Sequence, residues 1–243
     1  MSAIYGIHSV REALLAPTGN LTAVYICEDF RNPRLEEVLR FAREKGVPIH
    51  QVRREALDRM AGTAQHQGVV ARKESFQYCP YEDIVGHPAS PGLVMVLDGV
   101  EDPQNLGAVL RTADAAGATG IFIPERRAAA VTAAVIKASA GAAAYVRVCR
   151  ETNLSRLLDR LKEDGYWVVG LDAEGNELWT APDYSIPTVL VLGGEGKGIR
   201  PLVKAHCDRM VRLPMQGRVS SLNVSVAAGI VLYEILRQRA VKQ

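Results

Sequence analysis

The 243-residue chain lacks the features of several specialised classes of protein. No apolar run reaches the roughly 20 residues that a membrane-spanning helix needs, and the N-terminus lacks the apolar stretch of a signal peptide. Cysteine is scarce and forms no CxxC pair, which argues against a disulfide framework and a zinc ribbon. The four positions are Cys27, Cys79, Cys149 and Cys207. We therefore expect a protein of the reducing cytoplasm that does not associate with a membrane.

A strong excess of charge is also missing. The net charge is +2: residues 1–76 carry 11 Lys and Arg against 9 Asp and Glu, and residues 77–243 carry 18 against 18. Binding to nucleic acid would therefore depend on local clusters of basic residues. The five histidines show no metal-ligand spacing, and we expect no metal. The 48% apolar and 23% charged residues are typical of a globular protein and exclude general disorder.

The first 76 residues predict a small α/β unit. Periodicity indicates helices over His8–Leu15 and Pro33–Lys45, and β-rich runs cover Ala23–Cys27, Val47–Val52 and Gly68–Ala71. From residue 77 to residue 91 the composition shifts to proline, glycine and serine, which predicts a linker.

From residue 92 onward, strand and helix patterns alternate. Predicted strands are Leu93–Leu97, Gly120–Ile123, Tyr145–Val148, Trp167–Leu171, Thr188–Leu192 and Met210–Leu213; predicted helices are Leu106–Ala116, Ala129–Ala140, Leu154–Asp164, Arg200–Ala205 and Ser221–Arg239. Near-continuous apolar strands separated by helices predict an α/β domain with a parallel sheet that is covered on both faces. Ligands of such sheets bind beyond the carboxyl ends of the strands.

The loop after the first of these strands carries polar residues. Asn105 stands where a helix N-cap is expected, and Arg111 follows on the same helix. On these residues alone, a capped helix with a surface arginine explains the pattern at least as well as a site does.

The loop after Thr188–Leu192 has four glycines in six positions, from Gly193 to Gly198. It is neither a dinucleotide-binding GxGxxG nor a phosphate-binding loop ending in GK[ST]. Glycine permits close approach of the backbone to a ligand, although it is also common in structural turns. Glu195 within this turn favours a ligand-facing role, while its alternative role is a favourable interaction with the following helix N-terminus.

The third loop follows Met210–Leu213. Ser220 and Ser221 suit a helix cap, whereas Asn223 and Ser225 are unexpected polar residues early in an otherwise apolar helix. The stripe on that helix consists of Leu222, Val226, Ile230, Tyr233 and Leu236, and it predicts packing as core or as a partner interface.

Taken together and in this order, the three loops resemble the SpoU/TrmH branch of the SPOUT RNA 2′-O-ribose methyltransferases. The motifs are Asn105-Leu106-Gly107 with Arg111, Gly194-Glu195-Gly196 with Gly198, and Ser221-Leu222-Asn223-Val224-Ser225, and Lys137-Ala138-Ser139-Ala140-Gly141-Ala142 resembles a further signature. The N-terminal motifs Ile4-Tyr5-Gly6-Ile7-His8 and His66-Gln67-Gly68 resemble the substrate-binding domain of bacterial 23S rRNA guanosine-2′-O-methyltransferases. That domain is similar to small ribosomal proteins.

The resemblance implies a fold, a reaction and a division of the chain. It implies a substrate RNA-binding domain at 1–76, a linker at 77–91 and a methyltransferase domain with a trefoil knot at 92–243. It also implies S-adenosyl-L-methionine as the methyl donor, a structured RNA such as 23S rRNA as the substrate, and a homodimer whose protomers share the site.

The resemblance further implies roles for individual residues. Arg111, Asn105, Glu195, Asn223 and Ser221 would form the catalytic site, and Gly193, Gly194, Gly196, Leu213, Met215 and Leu222 would hold the cofactor. Arg53, Arg54, Arg72 and Lys73 are candidate phosphate contacts in the N-terminal domain. Because guanidinium is effectively never deprotonated in proteins, Arg111 is expected to stabilise the nascent alkoxide and bind phosphate, with Asn105 and Glu195 orienting it.

Four alternative functions compete with this one. A tRNA 2′-O-methyltransferase or a ribosome-modifying resistance enzyme would have the same catalytic domain. A non-catalytic RNA-binding assembly factor predicts damage at Arg111, Glu195 or Asn223, and none is seen. A nicotinamide-dependent oxidoreductase would need glycines after the first strand, where they are lacking.

Overall fold

In a computed structural model, the chain divides into two compact units, residues 1–76 and residues 77–243. The structure describes residues 2–15, 21–28, 32–73, 76–85 and 91–241, without the side chains of Ser2 and Lys73. Within these ranges, no helix is both long and apolar enough to cross a membrane.

The first unit is a four-stranded mixed sheet covered by helices on both faces. Its strands, in the order β1-β4-β2-β3, are β1 (Ser2–Tyr5), β4 (Val69–Lys73), β2 (Leu21–Cys27) and β3 (Ile49–Val52); β4 is antiparallel to both neighbours and β3 is parallel to β2. Helices α1 (Ile7–Leu15) and α2 (Pro33–Glu44) bury Val10 and Val38 against one face. Helix α3 (Arg54–Ala61) buries Leu57 against the other.

Two elements of this unit are absent from the sequence-based prediction. Helix α3 is only eight residues long and buries Leu57 alone, so its apolar periodicity is too short to be distinctive. Strand β1 has four residues and is completed by its pairing with β4, whose partner residues are 65 or more positions away in sequence. Neither feature leaves a local signal.

The expected linker at 77–91 is partly structured. Residues Tyr81–Val85 form helix α4, and both Tyr81 and Ile84 are buried in the core of the second unit. Burial and a hydrogen bond to Asp164 at 2.6 Å raise the pKa of Tyr81. This part of the segment therefore packs as part of the second unit, and residues 86–90 lie outside the described residues.

The second unit contains a seven-stranded parallel sheet, which confirms the predicted α/β class. The strands, in the order β7-β6-β5-β10-β8-β11-β9, are β5 (Leu93–Asp98), β6 (Gly120–Pro124), β7 (Val148–Glu151), β8 (Trp167–Leu171), β9 (Glu177–Leu178), β10 (Thr188–Gly193) and β11 (Arg209–Arg212). The helices are α5 (Pro103–Ala115), α6 (Ala133–Ala138), α7 (Leu154–Glu163), α8 (Pro201–Lys204) and α9 (Val224–Val241). Strands β5, β6 and β10 are almost wholly buried, as expected of a sheet covered on both faces.

Several predicted boundaries are wrong. Strand β7 starts at Val148 and not at Tyr145, because Ala142–Ala144 form a 3₁₀ turn that leaves the Tyr145 ring exposed. Helix α6 covers only Ala133–Ala138 of its predicted span, since residues 129–132 run on as a loop and residues 139–140 form a turn. The two-residue strand β9 leaves no pattern in the sequence at all.

Candidate active site

The register of the sheet brings the polar loops to one edge. Asp98 at the end of β5 lies opposite Gly193 at the end of β10. Leu171 at the end of β8 lies between Leu192 on one side and Val211 on the other. The loops that follow these four strands therefore leave the sheet side by side, at the carboxyl edge where α/β proteins bind ligands.

The centre of the site is Asn105, which joins the three loops. Its amide nitrogen donates to Glu195 Oε1 in the glycine loop. Its amide oxygen accepts from Asn223 Nδ2 at 2.8 Å in the third loop. Asn105 is buried, whereas Glu195 is exposed. One side chain therefore fixes the relative positions of loops that are separated by 90 and 118 residues in sequence.

The helix caps differ from the prediction. The N-cap of α5 is Asp102, whose side chain accepts from Gln104 N at 3.0 Å, so Asn105 lies inside the first turn and its side chain is free to reach the other loops. Helix α9 begins at Val224 and is capped by Asn223, whose Oδ1 accepts from Ser225 N at 2.9 Å and from Ser225 Oγ at 2.6 Å. Ser221 is exposed before the helix and does not cap it.

Arg111 is near this network but not part of it. It lies six residues after Asn105 on α5, which is about 9 Å along the axis and about 120° around it. The side chain is exposed and forms no hydrogen bond or ion pair with the described residues. Asn105 and Glu195 therefore do not hold Arg111 in this structure, contrary to the expectation that they orient it. An exposed, unpaired guanidinium remains available to a phosphate or an oxyanion.

The glycines of the second loop are required by close backbone contacts. A Cβ on Gly194 would overlap with the Gly99 carbonyl of the first loop, and a Cβ on Gly193 would overlap with the backbone of Gly198. Gly194 N donates to the Asp98 carbonyl at 2.9 Å, which closes the first two loops against each other. Gly196 has a φ of +76° and open space around it, so this turn presents bare backbone at the rim of the site.

The residues expected to hold the cofactor lie on the second and third loops. Leu213 and Met215 are partly buried in the extended segment after β11, and Leu222 is exposed just before α9. Strands β10 and β11 are two strand spacings apart, or about 10 Å. The bare glycine backbone on one side and the partly buried apolar side chains on the other suit an adenosyl group, whose pockets combine apolar walls with a few polar groups.

Two acidic residues that sequence reasoning missed anchor the glycine loop from either side. Asp98 is fully buried and accepts from Arg200 N at 2.8 Å and from Arg200 Nε at 2.6 Å. Asp172, at the end of β8, accepts from Lys204 Nζ at 2.9 Å. Partial burial raises the pKa of Asp172, but the hydrogen bonds from Lys204 and two backbone N–H groups outweigh it and lower the pKa overall. The sequence does contain a signal for Asp98 and Asp172, since each is a charged residue at the end of an apolar strand.

The motif from Lys137 to Ala142 packs against the helix that follows the first loop. A Cβ on Gly107 would overlap with the Cβ of Ala138 and lie 2.8 Å from the Val135 carbonyl oxygen, so only glycine permits α5 and α6 to approach this closely. Ser139 is fully buried; its hydroxyl donates to the Ile136 carbonyl and accepts from Ala143 N. The two motifs therefore pack together as one unit.

The candidate phosphate contacts of the first unit do not form a single cluster. Arg54 lines a cavity of the unit, but Arg53 does not. The Arg72 guanidinium lies 5.4 Å over the Tyr25 ring. The Lys73 side chain lies outside the described residues.

A metal site is not found in the part of the chain that the structure describes: no three His, Cys, Asp or Glu side chains are grouped so as to bind an ion.

Comparison with known proteins identifies the chain. Residues 92–233 match the model of the SpoU rRNA methylase family, and residues 3–79 match that of the RNA 2′-O ribose methyltransferase substrate-binding domain. The 23S rRNA (guanosine-2′-O-)-methyltransferase RlmB of Pseudomonas putida is 43% identical over 246 residues, covering 100% of this chain and 99% of its own. YacO of Bacillus subtilis, which is described as a TrmH family tRNA/rRNA methyltransferase, is 43% identical, and the match covers 97% of this chain and 95% of the YacO chain.

The solved structures agree. The AdoMet-bound rRNA methyltransferase of Sinorhizobium meliloti covers 97% of this chain and 87% of its own, with a TM-score of 0.64 and 28% identity. The parallel α/β fold, with three loops that hydrogen-bond to one another at the carboxyl edge of the sheet, is that of an RNA methyltransferase that uses S-adenosylmethionine. Within this class, the chain belongs to the SpoU rRNA methylase family, which confirms the resemblance seen in its motifs.

Proposed function

We propose that this enzyme transfers the methyl group of S-adenosylmethionine to the 2′-hydroxyl of a guanosine in 23S rRNA. The observation that carries the proposal is the Asn105 network, which assembles the three family loops into one polar site. The choice of guanosine and of 23S rRNA rests on the RlmB relative. A tRNA substrate is the second candidate, because YacO is as similar in sequence.

The chemistry divides between donor and protein. When bound, S-adenosylmethionine would supply an activated methyl group on a sulfonium, and the protein's task would be to align the 2′-hydroxyl, stabilise the developing alkoxide and let the hydroxyl proton pass to water. Alignment alone can account for about 7–11 kcal/mol of a barrier. No metal is required, because the sulfur leaves as a neutral thioether.

In this proposal Arg111 is the catalytic residue that contacts the substrate. Its exposed guanidinium binds the phosphate beside the target ribose and stabilises the nascent alkoxide. Asn105, Glu195 and Asn223 hold the loops that place ribose and cofactor, and Ser221 and Glu195, which are both exposed, complete the polar shell around the ribose.

The cofactor lies between the second and third loops. Backbone groups of Gly193, Gly194 and Gly196 line one side of the adenosyl pocket, and Leu213, Met215 and Leu222 provide the other. Asp98 and Asp172 act as positioning residues, because they anchor the glycine loop through Arg200 and Lys204.

The active form is a homodimer in which α9 packs against its partner. The support is the apolar stripe of Val226, Ile230 and Tyr233, which the described residues of the second unit leave exposed. Thr112, beside Arg111, lies next to Gly229 of α9, so a partner docked on α9 would approach the catalytic loop. Such a C2 interface would complete both sites at once.

The chain is threaded through a trefoil knot in its C-terminal domain, as in the family. One support is the strand order, in which β10 and β11 flank β8. The other is the long helix α9, whose Arg239 donates to the carbonyls of Pro91 and Gly92 just before β5. Residues 1–76 bind the substrate RNA, residues 92–243 perform the transfer, and the enzyme works in the cytoplasm. An experimental structure with an unthreaded C-terminal segment would contradict the knot.

The proposal is tested by mapping 2′-O-methylation of total rRNA and tRNA in cells with the gene, without it, and complemented with Arg111→Ala. We expect one guanosine of 23S rRNA to lose its methyl group in the deletion strain, and the variant not to restore it. Loss of a tRNA methyl group instead would support the second candidate. Unchanged methylation of both RNAs would refute the proposal.

A further inference from the structure

A cavity of about 900 Å³ lies in the first unit, where its two sequence motifs meet. The start of α1, with Ile7 and His8, forms one part of the lining, and His66-Gln67-Gly68 forms another. These segments are 60 residues apart in sequence and are joined by a hydrogen bond of 3.0 Å from Ile7 N to Gln67 Oε1. The catalytic site accounts for neither motif.

The loop at His66 is built to a fixed shape. The buried His66 ring contacts Asp58 Oδ1 through Nε2 at 3.0 Å, and its Nδ1 accepts from Gly68 N at 3.1 Å. This arrangement places Gln67 in the left-handed region at a φ of +53°, which is uncommon for a residue with a side chain. Gln67 is an exposed residue, and its amide nitrogen has no acceptor among the described residues.

The lining of this groove is positively charged. Among the described residues, the lining includes Arg11, Arg34 and Arg54 and one carboxylate, Glu37. Arg11 is paired with Glu37 at 3.2 Å and with Glu12 at 2.7 Å. Arg34 and Arg54 are exposed and form no ion pair with any residue that the structure describes. The unneutralised positive charge of the described lining therefore belongs to Arg34 and Arg54.

We propose that this groove binds a single-stranded stretch of the substrate RNA, with Arg34 and Arg54 on backbone phosphates and the Gln67 amide on a base edge. The inference rests on the proposed function, since it names where the substrate RNA is gripped. The volume of about 900 Å³ lies in the range of about 300–1,000 Å³ of pockets that enclose small ligands, which suits one or two nucleotides. Proteins read RNA sequence mostly in single-stranded loops and bulges, by contacts of this kind.

The test measures binding and turnover of the full-length protein with unmodified 23S rRNA transcribed in vitro. The variant Arg34→Gln/Arg54→Gln should raise the Kd and KM for RNA about tenfold or more, with kcat changed by less than about twofold. Losing two phosphate contacts should also reduce the slope of log K against log salt by about 1.4. The matched control Arg40→Gln/Arg43→Gln removes the same charge from exposed positions of α2 that do not line the groove, and should leave the affinity close to that of the wild type.

A second variant tests shape without changing charge. Ala64 is an exposed residue of the lining. The larger side chain of Ala64→Phe should fill part of the groove and weaken RNA binding, while the slope of log K against log salt stays unchanged. If the groove variants bind RNA as tightly as the Arg40→Gln/Arg43→Gln control, the groove does not bind RNA. Binding is measured without cofactor, so this result is distinct from failure of the wild type to methylate 23S rRNA, which would refute the proposed function.

Discussion

At the scale of single residues, we propose separate tasks for Arg111 and Asn105. Arg111 is exposed and its guanidinium is unpaired within the described chain, whereas Asn105 is buried and its amide forms hydrogen bonds with residues of two other loops. A guanidinium stays protonated in proteins, so in the proposed function Arg111 contributes charge and geometry and does not remove the proton. Asn105 contributes the arrangement of the loops. The two roles predict different kinetic effects.

Replacing Arg111 should affect the transition state. Arg111→Ala is expected to lower kcat by about two to three powers of ten, or about 3–4 kcal/mol, the effect of removing one strong electrostatic donor. The affinity for S-adenosylmethionine, measured by calorimetry, should barely change. Arg111→Lys retains the charge but loses the planar fork, so it should restore little activity. Near-normal single-turnover rates in Arg111→Ala would contradict this role.

Replacing Asn105 should loosen the site and weaken cofactor binding as well as turnover. Asn105→Ala leaves Glu195 and Asn223 without their shared partner, which we expect to cost about 1–3 kcal/mol in stability. The Kd for S-adenosylmethionine should rise and kcat should fall. Gln104→Ala, at the exposed neighbouring position, is the control and should behave as the wild type. If Asn105→Ala and Asn223→Ala had additive effects on the Kd, the two residues would not act through their hydrogen bond.

At the scale of elements, the sequence predicts what depends on local periodicity. The apolar strands β5, β6, β8 and β10 and the helices α2, α5 and α7 all occur close to their predicted places, because each has a pattern of its own. Elements that depend on tertiary contacts, β1, α3, α4 and β9, were missed. The starts of α5 and α9 were displaced because several polar residues in each loop suit a cap, and only the folded chain selects Asp102 and Asn223.

The candidate site was predicted in part, for the same reason. The motifs identified the loops that hold Asn105, Glu195 and Asn223, which the structure brings together. The motifs gave no indication that Arg111 stands apart from this network, nor that Asp98 and Asp172 anchor the glycine loop. Those facts depend on strand register and on pairings across more than 30 residues, which leave no local pattern.

The close packing of α5 on α6 allows a test at this scale. Gly107→Ala places a methyl group onto Ala138 and should destabilise the protein by about 1–3 kcal/mol, measured by denaturant unfolding. Adding Ala138→Gly should restore part of the loss, because the nearest overlapping atom is then removed, although the Val135 carbonyl remains 2.8 Å away. Ala138→Gly alone provides the control for the loss of helix propensity. A Gly107→Ala variant as stable as the wild type would contradict this account of the motif.

At the scale of the whole molecule, the exposed stripe of α9 predicts a dimer. Sedimentation at micromolar concentration should give twice 26.4 kDa. Ile230→Asp or Tyr233→Asp, in the centre of the stripe, should yield monomers with little activity, since the charge would be buried in the interface. Leu202→Asp, on α8 at a similarly exposed apolar position, is the control and should remain dimeric. A monomer that methylates RNA at the full rate would rule out a shared site.

The central claim is that the whole molecule methylates a ribose and not a base. The most direct measurement incubates the purified protein with S-adenosylmethionine carrying a labelled methyl group and with unmodified 23S rRNA, digests the RNA to nucleosides and identifies the labelled product. We predict a single labelled nucleoside, 2′-O-methylguanosine, at no more than one methyl group per RNA molecule. A label on a base, or no transfer to 23S rRNA under conditions in which the protein binds the cofactor, would contradict the account.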